Sequence, residues 1–277
     1  MKELAPTEAD LAARLRAAGC VFAEDEARLL LAEGSPPDEL ARRVERRVAG
    51  EPLEHILGWA TFCGLRICLE AGVFIPRQRS EFLVRQAAAV ATDGGVTVDL
   101  CCGSGALGLA LTSMLGQREL HAADIDPAAV RCARRNLAPV GAQVYEGDLF
   151  EPLPSRLRGQ VDVLLANVPY VPTRALPGMP AEARDHEPVR THDGGDDGLD
   201  VLRRLLAEAP GWLSPGGWLL TEINDRQSAA ARRTFAAAGL QARIVESPDD
   251  YATVAIGTLP RKTSTSPDGS SQRQVQP

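Results

Sequence analysis

Asp99, Asp124 and Asp148 stand at or just after the ends of successive predicted strands, in "VTVDL", "ELHAAD" and "YEGDLF". A single acid there is commonly a strand-end cap or an Asx turn. A series of them supplies carboxylate acceptors for a ligand carrying hydroxyl and amino groups. Between the first strand and the helix after it runs Asp99-Leu100-Cys101-Cys102-Gly103-Ser104-Gly105. Gly103 and Gly105 let the backbone pass close to a ligand, and the turn presents that ligand to the amides of a helix start. A second group, Asn167-Val168-Pro169-Tyr170, breaks off the apolar strand "VDVLLA" with an amide, a proline and a phenol. Taken alone it is consistent with a turn punctuated by Pro169.

Two ligands suit the first group. Gly103-x-Gly105-x-x-Gly108, with Asp124 19 residues after Gly105, satisfies the dinucleotide fingerprint, whose pyrophosphate sits over the helix start. The other ligand is S-adenosylmethionine, its methionine moiety lying along Cys101, Cys102, Gly103, Ser104 and Gly105. The acids favour this second ligand. Asp124 would accept from both ribose hydroxyls, and Asp148 from the adenine amino group with Leu149 packed on the ring. Asp99 would pin the loop or approach the methionine amino group. A carboxylate there suits a cationic amino-acid end better than a pyrophosphate.

These residues need a frame, and the hydrophobic pattern predicts one. From residue 81 onward a helix ("EFLVRQAAAVA") leads into alternating strands and helices, the signature of a parallel α/β sheet covered on both faces. Pro127 occupies a natural first-turn position in the helix "PAAVRCARRNL". Residues 7–49 carry apolar positions at helical spacing (Leu11 and Leu15; Ala27, Leu30 and Leu31; Leu40, Val44 and Val48), predicting a small helical module. "LGWATFCGLRICLE" predicts a hairpin, and residues 171–197 an irregular segment. The expected divisions are a helical module over 1–56, a hairpin linker over 57–75, a ligand-binding domain over 76–258 and a polar, disordered tail over 259–277.

Composition excludes several classes. Acidic side chains outnumber basic ones, 37 to 30, which disfavours a phosphate-backbone partner. No apolar run is long enough for a membrane span, and the N-terminus lacks the apolar core of a signal peptide, so a cytoplasmic protein is expected. Cysteines 20, 63, 68, 101, 102 and 132 form no CxxC and have no paired histidine spacing, so no metal is expected.

The stretches "IPRQRSEFLV", "DLCCGSGALGLAL", "ADIDPAAVRCARRN", "GDLFEPL", "NVPYVPT" and "GGDDGLDVLRRLLAEAPGWLSPGGWLLTEI" occur in the order seen in the HemK/PrmC-type protein-(glutamine-N5) methyltransferases. Over about residues 52–257 the chain resembles that family, and most of all an actinobacterial branch of it. The resemblance implies a class I S-adenosylmethionine-dependent methyltransferase fold: a Rossmann-like, seven-stranded, mostly parallel sheet with a helical N-terminal module that recognises the substrate. It implies N5-methylation of a glutamine side-chain amide in a protein of translation, a peptide chain release factor or a ribosomal protein.

In the implied arrangement the Asn167 side-chain oxygen and the backbone carbonyl of residue 168 each accept one N–H of the substrate amide. Tyr170 packs on the amide plane and excludes water. Val168 stands where the family has a first proline. The role is a backbone carbonyl, which valine keeps, and Pro169 still biases it to extended geometry. Cys101-Cys102 replaces the family's usual Gly-Thr, expected as a tolerated small-for-small change. The alternatives are an adenine-N6 or guanine-N2 nucleic-acid methyltransferase, an idle fold serving as a binding module, and an NAD-dependent oxidoreductase.

The remaining expectations are smaller. The acids of residues 173–199 would make a loop that docks a basic peptide, and Glu187-Pro188 matches a family position beside the opening. Arg77 and Glu81 would brace the cofactor entry or pair with one another, and Glu222 would cap a strand. The four histidines lack triad partners and receive no catalytic role.

Overall fold

The computed structural model describes residues 6–116 and 118–261. The chain opens with α1 (Glu8–Ala17), α2 (Ala23–Ala32), α3 (Pro37–Val48) and the short α4 (Leu53–Leu57). Thr7 and Asp10 form a reciprocal capping box at the start of α1. Leu11, Leu15, Leu30, Leu40 and Val44 bury their side chains in a cluster belonging to these helices alone. Arg47 on α3 is buried and pairs with Glu26 of α2.

A hairpin follows, β1 (Trp59–Phe62) and β2 (Leu65–Cys68). Its two-residue turn has Cys63 at φ +48° and Gly64 at φ +73°, the paired left-handed geometry that matches strand twist. Glu81 accepts from the Cys63 amide. Arg77 pairs instead with Glu187. Glu81 therefore fixes the hairpin, Arg77 holds another segment, and the two do not pair with each other as one expectation had it.

The second unit comprises α5 (Glu81–Val90), β3 (Val96–Leu100), α6 (Ala106–Leu115), β4 (Glu119–Asp124), α7 (Pro127–Leu137), β5 (Gln143–Glu146), β6 (Val161–Ala166), α8 (Ala181–His186), α9 (Asp200–Glu208), β7 (Leu213–Ile223), α10 (Ser228–Ala237), β8 (Gln241–Ser247) and β9 (Ala252–Thr258). The strands form one seven-stranded sheet in the order β5-β4-β3-β6-β7-β9-β8. Only β9 runs against its neighbours. One face packs on α5 and α6 through Leu83, Val84, Ala110 and Leu111. The other packs on α9 and α10 through Leu205, Leu206 and Phe235, with Phe150 stacked on Trp212.

The chain lays β3, β4 and β5 outward in one direction, then returns to place β6 against β3, with Leu100 opposite Ala166. That reversal is the switch point at which α/β sheets leave a crevice beyond the carboxyl ends of their strands. The turn after β3 and the Asn-Val-Pro-Tyr segment after β6 both leave from it.

Residues 171–197 differ from the irregular segment expected. They contain a 3-10 helix at Thr173–Gly178, then α8, then a 3-10 helix at Val189–Thr191, and Val171 bridges Asp193. Pro172, Pro180 and Pro188 each precede one of these turns. Frequent prolines limit helices to a turn or two, too short to show periodicity. Of the predicted tail, residues 262–277 lie outside the described residues.

Candidate active site

Beyond β3, β4 and β6 opens a cavity of about 490 Å³. Cys101, Cys102, Gly103, Ser104, Asp124, Asp148, Leu149, Asn167, Val168, Pro169 and Tyr170 all line it. The structure thus brings together nearly every residue singled out from the sequence. Asp99 and Gly105 do not line it.

Asp99 is fully buried, and its Oδ2 accepts from the Gly108 amide at 2.9 Å. It pins the first turn of α6 and does not reach toward a ligand amino group. Burial, with Asp124 adding to it, pushes its carboxyl up to about 7. Gly105, at φ +78°, N-caps α6, and a side chain there would strike Leu137 at 2.9 Å. Gly103, at φ +55°, faces open space. Asp124 accepts from the Gly103 amide at 2.8 Å and from the Asp126 amide at 2.9 Å. It clamps the glycine turn to β4, while burial holds its carboxyl above the ordinary range. Asp148 pairs with Arg204 and Asp126 with Arg190, two arginines at the cavity wall. Cys101 lies at φ +52° and Leu149 at φ +46°, so the change expected to be small-for-small puts a Cβ into left-handed backbone.

The substrate side is organised around a carboxylate that the sequence reading assigned only to a strand cap. Glu222, 2% exposed, accepts from Ser80 Oγ at 2.6 Å, Tyr170 Oη at 2.6 Å and Arg79 Nε at 2.7 Å. Arg79 Nη2 also donates to Tyr170 Oη. Burial and the Glu222 charge raise the Tyr170 phenol well above its ordinary value, so it stays protonated. Asn167 Nδ2 lies 3.5 Å from Ser80 Oγ, while the buried Asn167 Oδ1 has no partner. Among the described residues the Val168 carbonyl accepts no hydrogen bond. The Val168 side chain is buried with the β6 and α9 core. Arg79 and Ser80 were missed in the sequence. The visible signal was a cluster of polar residues, Arg77-Gln78-Arg79-Ser80-Glu81, ahead of an apolar helix, facing an acid inside the apolar strand "WLLTEI".

Most acids of 173–199 have partners within the protein. Glu187 accepts from the Ile75 amide and Arg77, Glu182 pairs with Arg47, and Asp193 accepts from Thr173 and the Gly195 amide. Asp197 and Asp200 pair with Arg203. Much of their charge holds the segment against the body, while Asp185, Asp196 and Asp197 remain exposed at its surface.

A family profile described as "Methyltransferase small domain" matches residues 64–178. A release factor glutamine methyltransferase of Geobacter sulfurreducens is 38% identical over 208 residues, 73% of this chain and 72% of the relative. That of Moorella thermoacetica is 40% identical over 204 residues, 71% and 70%. The chain belongs to the release factor glutamine methyltransferase family. A further relative, a 4-amino-L-phenylalanine/4-methylamino-L-phenylalanine methyltransferase of Streptomyces pristinaespiralis, is 34% identical over 232 residues, 81% and 78%. A solved methyltransferase of Pyrococcus furiosus shares the fold, with a TM-score of 0.53 at 16% identity over 79% of this chain and 99% of that one.

As a member of this family the protein is a methyltransferase with S-adenosylmethionine as cofactor, and the cavity suits that molecule better than a dinucleotide. The Gly103 and Gly108 amides, which would otherwise be free to meet a pyrophosphate, are occupied by Asp124 and Asp99. Asp124 and Asp148 also bring carboxylate acceptors to the wall, which suit hydroxyls and an amino group.

Proposed function

We propose that this protein methylates the side-chain amide nitrogen of a glutamine in a peptide chain release factor, in the cytoplasm. Residues 1–56 serve as the substrate-recognition module, the hairpin region 57–75 as linker and 76–258 as the catalytic domain. The observation that carries the reading is the buried, unpartnered Oδ1 of Asn167, a residue that lines the cavity. A buried acceptor without a partner costs roughly 1–3 kcal/mol, and an incoming N–H relieves that cost. The relatives' names support glutamine as the bearer of that N–H.

Bound S-adenosylmethionine supplies a methyl carbon on a sulfonium, whose sulfur keeps the bonding pair as the methyl leaves. Asp124 and Asp148 would hold its ribose and adenine ends, Leu149 would pack on the ring, and the turn from Cys101 to Gly105 would lie beside the methionine part. The chain then has to present a poor nucleophile. An amide nitrogen shares its lone pair with its own carbonyl, so positioning replaces basicity. Asn167 Oδ1 accepts one N–H and the Val168 carbonyl the other. With both protons held, the nitrogen turns its π-face to the methyl carbon, and the two oxygens stabilise the positive charge that grows on it. Once that charge has formed the nitrogen is strongly acidic, and its extra proton passes to solvent water as the product leaves. No strong base is needed, and Tyr170, held as a phenol, helps keep water out.

Labelled donor and purified release factor test this reading. Asn167→Ala is expected to lower turnover by about a hundredfold or more, with donor affinity in calorimetry within about threefold, because the contact matters chiefly as charge develops. Unchanged turnover contradicts the role. The second reading is a free arylamine, whose NH2 is equally planar; the Streptomyces pristinaespiralis relative and the apolar Phe62 and Phe74 in the cavity wall favour it. Label on 4-amino-L-phenylalanine and not on release factor selects that reading, and label on nucleic acid removes both.

A further inference from the structure

We propose that Glu222 and Ser80 are positioning residues that dictate which end of the Asn167 amide faces the substrate. This rests on the reading of Asn167 as the acceptor for the reacting NH2. An asparagine side chain is nearly symmetric in shape, and its two ends carry opposite hydrogen-bonding character. Turned over, Asn167 would offer an NH2 to the incoming NH2, and the site would repel its own substrate. Something must hold the amide one way round.

The order of donors and acceptors does so. Glu222 lies buried on β7 and, as a carboxylate, can only accept. Ser80, itself 2% exposed, has one proton, and that proton goes to Glu222 Oε2 at 2.6 Å. Toward Asn167 the Ser80 oxygen therefore has only lone pairs to offer. It can take an N–H and has nothing to give a carbonyl. Asn167 Nδ2 accordingly faces Ser80, and Oδ1 is left turned away with no protein partner. Polarity passes from carboxylate to hydroxyl to amide, and ends as an unpartnered acceptor on Asn167, a residue of the cavity lining.

The other oxygen of Glu222 orders Tyr170 by the same logic. Arg79 can only donate, and it donates to Tyr170 Oη, so the phenol proton goes to Glu222 Oε1. One carboxylate thereby sets both residues that bracket Val168 and Pro169. The same arrangement restricts the substrate class at this position: it takes a group with two N–H donors, while a hydroxyl, with its single proton, leaves one acceptor unmet.

Glu222→Gln tests this with almost no change of shape. A glutamine can donate to Ser80, which frees the Ser80 proton to turn toward Asn167 and inverts the amide. Ser80→Ala removes the intermediate group. Each is expected to lower kcat by about ten- to a hundredfold, as for other residues that orient a reacting group. KM for release factor and calorimetric donor affinity should stay within about threefold. Ser80→Thr, which keeps the hydroxyl, should recover most of the turnover lost in Ser80→Ala. The donor titration identifies any variant that has failed to fold, and the alanine–threonine pair at position 80 decides the matter without Glu222. Asn167→Ala is run alongside. If it stays active, the reading beneath the proposal falls and takes the proposal with it. If it is inactive while Ser80→Ala and Glu222→Gln turn over normally, the proposal alone is overturned. Loss in Ser80→Ala that Ser80→Thr does not recover also overturns it, because the hydroxyl would then not be the part that counts.

Discussion

Cys101 illustrates how far a single backbone angle can reach. At φ +52° it holds a conformation that costs a side-chain-bearing residue roughly 1–2 kcal/mol. Glycine would escape that cost and give back part of the gain through its looser unfolded chain. Cys101→Gly is therefore expected to raise stability by about 0.5–1 kcal/mol, read as a higher Tm in calorimetry, with the glycine turn unchanged. The sequence showed a small residue here and could not show its angle. Asp124 and Asp148 were legible only as members of a series after successive strands, and Asn167 only beside the ligand turn, since each alone reads as a strand-end cap or turn. Glu222, Ser80 and Tyr170 were harder to connect. Glu222 lies 142 residues from Ser80 and 52 from Tyr170 along the chain, and only folding reveals that they share protons.

At the scale of elements, the segment between β6 and α9 is the main departure from expectation. Strands and long helices announce themselves by period, whereas its one- and two-turn pieces begin at prolines and are held from outside. Glu187 is the principal holdfast. Its buried carboxylate joins the Ile75 amide and Arg77, on the approach to α5, to the stretch that walls the cavity. Glu187→Gln would keep one acceptor for Ile75 and turn a donor toward Arg77. The expected loss is about 1–3 kcal/mol, with faster hydrogen exchange across residues 171–199 than in the strands. Uniform exchange across the protein would show that the segment is held by other contacts. Arg47 makes a second tie, from α3 to Glu182 on α8. It joins the N-terminal helices to the cavity wall.

For the molecule as a whole, a seven-stranded, mostly parallel sheet was implied by family likeness, and its strand order by neither likeness nor residue pattern. Alternating strands and helices announce an α/β fold without saying which strands are neighbours. Stability against pH is another property of the whole. Asp99 is raised from the ordinary aspartate value to about 7 by burial. Its contribution is therefore full below the unfolded value near 4 and is lost as pH rises through about 7. Asp99→Asn removes the titration. Relative to the parent, the variant should gain stability with rising pH by up to roughly 1.4 kcal/mol per unit in that window and gain nothing further above it. Denaturant melts at pH 5.5, 7 and 8.5 check this, and a constant difference would contradict it. Helices that bury apolar stripes set the sheet in place, and the sheet in turn sets the working distance. Leu100 and Ala166 are ladder partners, so the chains that continue into the donor turn and the acceptor loop start side by side, one strand spacing of about 4.8 Å apart. The gap to be crossed by a methyl group is thus ruled by backbone hydrogen bonds more than by rim side chains. A side chain beside it can differ, as Val168 does from the family's proline, and the ruler keeps its length. Inserting one residue at the end of β6 would shift Asn167 by about 3.3 Å and turn its neighbours to the opposite face. The same insertion at the end of β3 would displace the donor turn, and in either case the two halves would no longer meet.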